Sequence, residues 1–312
     1  MTIVEALRVL AGRTSDYRLR AFFRRAAEQT AAGRRLSEIM REHGTLFSPL
    51  ALAMVEAAEH SGRLDEILQR LAEYYEHEYE VRLMFSRETF YPKVLGAAIL
   101  LIPLGGQAIA KWLTESTAAA VLFVMKWLAL YALIGGIPAL ALWVLYRSVS
   151  SSQQGRRAID QLKLRLPVIG KVVHRSALAR FSRALGALYG AGVSMAKALE
   201  LAGDATANAV LRETAYRAAG MTSTGAGLSR ALSDSGMTDD LVLSMISTGE
   251  QTGNLEETMN HVAGYYEAET RTAIRQLAVA MVPAAVILAA VVVGAMVIRF
   301  YTGLYSGIAG EP

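Results

Sequence analysis

Met54 to Arg82 reads MVEAAEHSGRLDEILQRLAEYYEHEYEVR, and Met245 to Ala273 reads MISTGEQTGNLEETMNHVAGYYEAETRTA. A constant offset of 191 carries Met54 onto Met245, Glu59 onto Glu250, Gly62 onto Gly253, Leu64 onto Leu255, Tyr74-Tyr75-Glu76 onto Tyr265-Tyr266-Glu267, and Pro92 onto Pro283. Each copy runs into apolar sequence, which predicts a duplicated module ending at a membrane. Upstream the match continues at an offset of 192, with Thr2 on Ser194, Leu7 on Leu199 and Leu36-Ser37 on Leu228-Ser229. The amphipathic stretch Arg180 to Val193, RFSRALGALYGAGV, would have its counterpart before Met1, so the first copy is expected to lack its first helix.

Both copies show helical spacing and no alternation of β-branched residues. Ile67, Leu68, Leu71, Tyr74, Tyr75 and Tyr79 form one apolar stripe, and Met259, Val262, Tyr265 and Tyr266 repeat it. Gly253 is suited to close one helix in a left-handed conformation, with Asn254 and Glu257 capping the next. Gly62 should make the same turn. The expected fold is all-α, with two repeated antiparallel helical bundles, in residues 1–92 and 147–276, and three transmembrane helices.

The spans are read at 93–111, at 118–146 with its core at 128–146, and at 277–298. A short outer loop is expected at 112–117 and an outer tail at 299–312. Pro92 and Pro283 are expected to kink or interrupt the long helices where they enter the membrane. Arg82, Arg87 and Lys93 precede the first span, and Arg147, Arg156, Arg157, Lys163 and Arg165 follow the second, which places both bundles and the N-terminus in the cytoplasm. Ser148 to Gly155 reads as a flexible linker that would let the two bundles shift relative to one another.

Composition narrows the function. The chain of 312 residues is 53% hydrophobic and contains no cysteine, which excludes a disordered chain, a thiolate nucleophile and a zinc-thiolate site. Residues 1–92 carry thirteen basic and fourteen acidic side chains and residues 147–276 carry fifteen and twelve, so neither half has the concentrated positive charge of a nucleic-acid-binding domain. No stretch has the form of a phosphate-binding loop, because Gly170-Lys171 has Arg165 in place of the first glycine and Val172 after the lysine. No enzyme activity and no cofactor are expected.

Glu73, Glu76, His77 and Glu80 have the three- and four-residue spacings of a carboxylate-rich metal site. Ala268 stands at the histidine position of the other copy, and the cluster reads as a solvated acidic face. Glu59 and Glu250, just before a helix-helix turn, read as acceptors of backbone N–H groups, with partner contact as the alternative. The basic excess at Arg156, Arg157, Lys163, Arg165 and Lys171 reads as anchoring against anionic lipid, or as a docking face for an acidic partner.

These motifs resemble the type II secretion system F family of polytopic inner-membrane platform proteins. The doubled element is Gly249-Glu250 with Gly253 and Leu255, matched by Glu59, Gly62 and Leu64 with Ala58 in place of the first glycine. Leu166-Pro167-Val168-Ile169-Gly170, leading to Phe181 and Gly192, is similar to the family's entry into its second domain. The resemblance implies a bacterial inner-membrane scaffold of a type IV pilus or type II secretion machine. It also implies a cytoplasmic ATPase, pilin or pseudopilin subunits, other inner-membrane assembly proteins and further copies of itself as partners. A small oligomeric transporter or channel built on the repeat is the alternative reading.

Overall fold

The computed structural model describes residues 2–88, 90, 94, 96, 97, 101, 105, 107–109, 112, 116–149, 152–166 and 169–308. Among them there is no strand. The helices are α1 (Ile3–Arg13), α2 (Tyr17–Ala31), α3 (Leu36–Glu42), α4 (Pro49–Ser61), α5 (Leu64–Glu88), α6 (Thr117–Tyr131), α7 (Ile137–Val149), α8 (Gln153–Arg165), α9 (Ile169–Gly190), α10 (Met195–Ala205), α11 (Ala209–Ser223), α12 (Leu228–Ser235), α13 (Asp240–Thr252) and α14 (Leu255–Ile308). They fall into two compact units, Met1–Glu80 with Asp160–Thr270, and Val81–Ile159 with Arg271–Pro312.

The first unit is set by its helix caps. Thr2 and Glu5 cap α1 reciprocally, the Thr2 hydroxyl accepting from the Glu5 N–H and the Glu5 carboxylate accepting from the Thr2 N–H at 2.9 Å. Asp16 and Asn208 accept from the opening N–H groups of α2 and α11. Ser48 does the same for α4 with Pro49 in the first helical position, where a missing N–H costs nothing. Gly62 and Gly253 close α4 and α13 at φ of 69° and 72°, a region open to glycine because it has no Cβ.

Helix bounds recur along the chain. α1 and α10 each have 11 residues, α2 and α11 have 15, and α4 and α13 have 13. The connection between α3 and α4 takes six residues, and that between α12 and α13 takes four.

Two apolar clusters hold this unit. One belongs to the first stretch and gathers Leu7, Phe22, Ile39, Met40 and Val55. The larger one crosses between the stretches: Leu50, Met54, Ile67 and Tyr74 join Leu178, Phe181, Leu185, Leu199, Val262 and Tyr266. Helix α9 is the joint, packing on α10 of its own stretch and on α4 of the other.

In the second unit, α6 leads through a single π-helical turn, Ala132–Gly136, into α7. Its described apolar side chains are largely exposed, Leu122, Leu133, Leu140 and Ile287 among them. The Arg147 guanidinium lies 5.6 Å from the centroid of the Trp143 ring. Helix α14 is continuous from Leu255 to Ile308 with Pro283 inside it, so Pro283, expected to kink or interrupt the helix, does not interrupt it. Among the described residues no helix is long and apolar enough to cross a membrane.

Pro92 and most of 93–111 lie outside the described residues. Within the linker expected at Ser148–Gly155, the described residues include Ser148 and Val149, which end α7, and Ser152, whose hydroxyl accepts from the Gly155 N–H at 3.0 Å at the start of α8. A serine that caps a helix carries the same composition as a serine in a flexible tether, so composition alone could not separate the two.

Candidate functional site

The two glutamates of the doubled element do the same thing. Helices α3 and α12 begin without a side-chain cap of their own, at Arg35 and Gly227. Glu59 reaches back from α4, its two oxygens accepting the Leu36 N–H at 2.5 Å and the Ser37 N–H at 3.2 Å, and it also accepts the Ser37 hydroxyl. Glu250 accepts from the Leu228 N–H at 2.7 Å and the Ser229 N–H at 3.1 Å. A carboxylate on the first N–H groups of a helix satisfies donors that lack an intrahelical partner and sits at the positive end of the dipole.

Glu250→Gln keeps the shape but loses the charge and one acceptor. It is expected to lower stability by about 1–2 kcal/mol, read as a shifted urea midpoint in detergent, with Glu59→Gln behaving alike. A midpoint unchanged in both variants would remove the capping role.

The turn that follows is shared too, with Leu255 buried and Leu64 half-buried behind it. Gly249 is tight because a Cβ there would overlap the Thr258 side chain. Ala58 takes the matching place fully buried inside α4, and the turn is unaffected, since the left-handed residue is Gly62, four positions later.

Charged side chains form a seam between the two stretches of this unit. Arg70 on α5 pairs with Glu256 on α14 and donates to Glu66 at 3.0 Å, while Arg63 donates to both Glu66 oxygens. Gly190 leaves the space in which the Arg70–Glu256 pair sits. Further along, Arg183 of α9 donates to Glu267 at 2.9 Å and to Asn260 at 3.4 Å. His77 Nε2 lies 2.8 Å from the same Glu267 oxygen and 3.0 Å from Arg183 Nη2, so it donates to the carboxylate or accepts from the guanidinium according to its tautomer. Arg180 donates to the Thr206 carbonyl at 2.9 Å; desolvation holds its pKa below the usual arginine value, opposed by nearby Glu78 and Tyr74. Burial in turn raises the Tyr74 hydroxyl pKa, with Glu78 adding to it.

The seam separates residues that the sequence grouped. Glu73 accepts the Gln69 amide on its own helix, Glu76 and Glu80 are exposed, and His77 turns to Glu267. Among the described residues no three His, Asp or Glu side chains converge to hold a metal. Lys163 pairs with Asp160 at 3.1 Å, and Asp160 accepts the Ala209 N–H at the start of α11 at 2.9 Å. Arg165 and Lys171 are exposed on this unit, and Arg156 and Arg157 are exposed on the other. Phe181 is buried in the shared cluster, Gly192 turns the chain at φ 83°, Gly170 is buried, and Pro167 lies outside the described residues.

Arg70, Arg183, Glu256 and Glu267 were not singled out from sequence. Arg180 and Arg183, three residues apart in the mainly apolar run Ala177–Gly190 of α9, were the available signal, because charges there need partners.

An all-helical scaffold, with two sequence-related stretches sharing one core and a 54-residue helix leading into apolar sequence, defines the class of this molecule. The chain belongs to the type II secretion system protein F family, whose pattern matches residues 1–109 and 181–303. It is 32% identical over 295 residues to the type IV pilus assembly protein PilC of Thermus thermophilus, covering 91% of this chain and 72% of that one. It is also 32% identical over 317 residues to the type II secretion system protein F of Xanthomonas campestris, covering 96% and 77%, and 29% identical over 292 residues to the protein F of Pseudomonas aeruginosa, covering 88% and 70%.

Proposed function

We propose that this chain is a non-enzymatic inner-membrane platform of a type IV pilus or type II secretion machine, passing the motion of a cytoplasmic assembly ATPase to pilin-like subunits. Membership of the protein F family carries the reading. The shared core supports a mechanical role, because helices α5 and α14 both leave it and continue toward apolar sequence. A push on one stretch would reach the other through α9 and the Arg70–Glu256 and His77–Glu267 contacts.

In this reading the module is duplicated, three helices span the membrane near 93–111, 118–146 and 277–298, and the tail after Arg299 is periplasmic. The recurrence of helix bounds supports the duplication, and the exposed leucines and isoleucines of the second unit support the spans. Other inner-membrane assembly proteins, further copies of the chain and anionic lipid complete the expected partners.

A clean deletion is expected to abolish fibre assembly or secretion while subunit synthesis continues; normal assembly, with no second copy of the gene present, would reject the platform role. The chain has no cysteine, so single introduced cysteines report topology directly. Thr302→Cys should react with an impermeant maleimide on intact cells and Ser223→Cys only after permeabilisation, and the reverse pattern would invert the assignment.

A further inference from the structure

A pocket of about 490 Å³ lies along α14 in the second unit, lined by Arg271, Thr272, Arg275, Gln276, Val279 and Pro283. Four of these, Arg271, Arg275, Val279 and Pro283, recur every four residues and so follow one side of the helix, passing from guanidinium to apolar along it. Thr272 and Gln276 set a hydroxyl and an amide beside the two arginines, so the basic end of the pocket is built from hydrogen-bond donors. Arg271 is held through its Nε, which donates to the Met84 sulfur of α5 at 2.9 Å. That bond does not use the two Nη groups, the fork that meets a phosphate through parallel hydrogen bonds.

The charge here is not balanced from within α14. Glu267 and Glu269 are the last carboxylates of that helix, and both are committed to α9, to Arg183 at 2.9 Å and to Arg175 at 2.8 Å. The repeat does not carry the arginine pair either. At the offset of 191 the places of Arg271, Arg275 and Val279 hold Glu80, Met84 and Glu88 in the first copy. The first copy brings Arg82 and Arg87 to its own membrane approach, five residues and hence about 140° apart around the helix, whereas Arg271 and Arg275 are only about 40° apart. Two charges that merely hold a helix end at a surface need not share a side; two that grip one anion must.

We propose that this pocket binds one anionic phospholipid, with its phosphate on Arg271 and Arg275, Thr272 and Gln276 donating to the remaining oxygens, and an acyl chain lying along Val279 and Pro283. This deepens the expectation of anionic lipid as a partner and rests on the reading that α14 enters the membrane at 277–298. The dimensions agree. Arg271 and Arg275 are about 6 Å apart along the axis and the headgroup layer is about 5–8 Å deep, so both guanidiniums lie at phosphate depth when the apolar span begins at 277. Pro283 then falls about 9 Å into the hydrocarbon. Val279 is 66% exposed, which leaves that part of the pocket open to a chain. A soluble phosphate would engage the arginines but places nothing against Val279 and Pro283.

The test melts the full chain, stripped of lipid in a neutral detergent, with increasing mole fractions of phosphatidylglycerol, of phosphatidylcholine, or with inorganic phosphate. Phosphatidylglycerol is expected to raise the melting midpoint, with half of the rise at a mole fraction about tenfold or more below that needed of phosphatidylcholine, and phosphate to give no rise. Arg271→Gln combined with Arg275→Gln should erase that preference. Val279→Trp keeps every charge but fills the place of the chain, and should weaken phosphatidylglycerol about fivefold or more. Each shift is taken from the variant's own lipid-free melt, so altered stability is not read as lost binding. Equal response to the two lipids, a preference that survives the double glutamine variant, or native binding by Val279→Trp overturns the lipid site. A rise with phosphate equal to that with phosphatidylglycerol assigns the pocket to a free anion and overturns it too. Thr302→Cys labelling reads the path of α14 separately: a chain that labels as expected and shows no lipid preference loses this site and keeps the platform reading, whereas a chain that carbonate washes from membranes loses both.

Discussion

Gly170→Ala is expected to destabilise the protein by about 3 kcal/mol, at the top of the range for forcing one extra methyl group into a packed site. The α8–α9 turn takes three residues, and Gly170 N–H donates to the Leu166 carbonyl at 2.8 Å to start α9. A Cβ on Gly170 would overlap the Leu164 carbonyl oxygen, stand 2.8 Å from the carbonyl carbon and lie 3.2 Å from the Lys163 carbonyl oxygen. All three are backbone atoms, so no rotamer relieves the overlap and α8 must move. Asp160 moves with it, releasing the Ala209 N–H that opens α11. Gly264→Ala is the matched control: that glycine is helical with nothing within 4 Å of a new Cβ, and alanine there should be neutral or stabilising by up to about 1 kcal/mol. Thermal melts in detergent compare the two directly, and a Gly170→Ala protein that melts with the native one would show that the turn has slack.

Gly170 was legible from sequence only as part of the Leu166–Gly170 motif, whereas the left-handed turns were legible from chemistry. Gly62 and Gly253 end apolar-periodic stretches, and a residue with no Cβ is the usual solution at that point. The capping of α14 was half legible. Asn254 precedes the helix, but its amide donates to the Glu257 carboxylate instead of Glu257 reaching back to the backbone.

Arrangement between the stretches was not legible, and the repeated tyrosines show why. Tyr74-Tyr75 and Tyr265-Tyr266 are identical in sequence, yet Tyr74 and Tyr266 are the buried members. Periodicity gives the apolar stripe of a helix and says nothing of which flank meets a neighbour. Here Tyr266 lies under α9 in its own stretch, while Tyr74 meets the same helix from the other side. Burial accordingly raises the Tyr266 hydroxyl pKa to about 12.

The seam makes the second large prediction. Arg183→Ala is expected to lower stability by about 3 kcal/mol, because removing one partner of a largely buried pair leaves the other desolvated and unpaired. The Arg183 and Glu267 side chains are only 20% and 19% exposed, unlike the surface pair Arg34–Glu42 at 40% and 50%. His77 remains near Glu267, but its imidazole does not take over the guanidinium's bond to Asn260. Arg183→Met with Glu267→Gln should recover most of the loss, since two neutral groups of similar shape no longer need to be paired. Strong coupling in that double-mutant cycle identifies the pair as the contact, whereas additive losses would assign the effect to the packing of the Arg183 stem against α14. The cycle also bears on mechanism. If α9 transmits displacement between the stretches, Arg183→Ala should impair assembly at temperatures where the protein is still folded, and the double variant should restore stability without fully restoring assembly. Assembly that follows folded fraction alone in every variant would make the seam a matter of stability only.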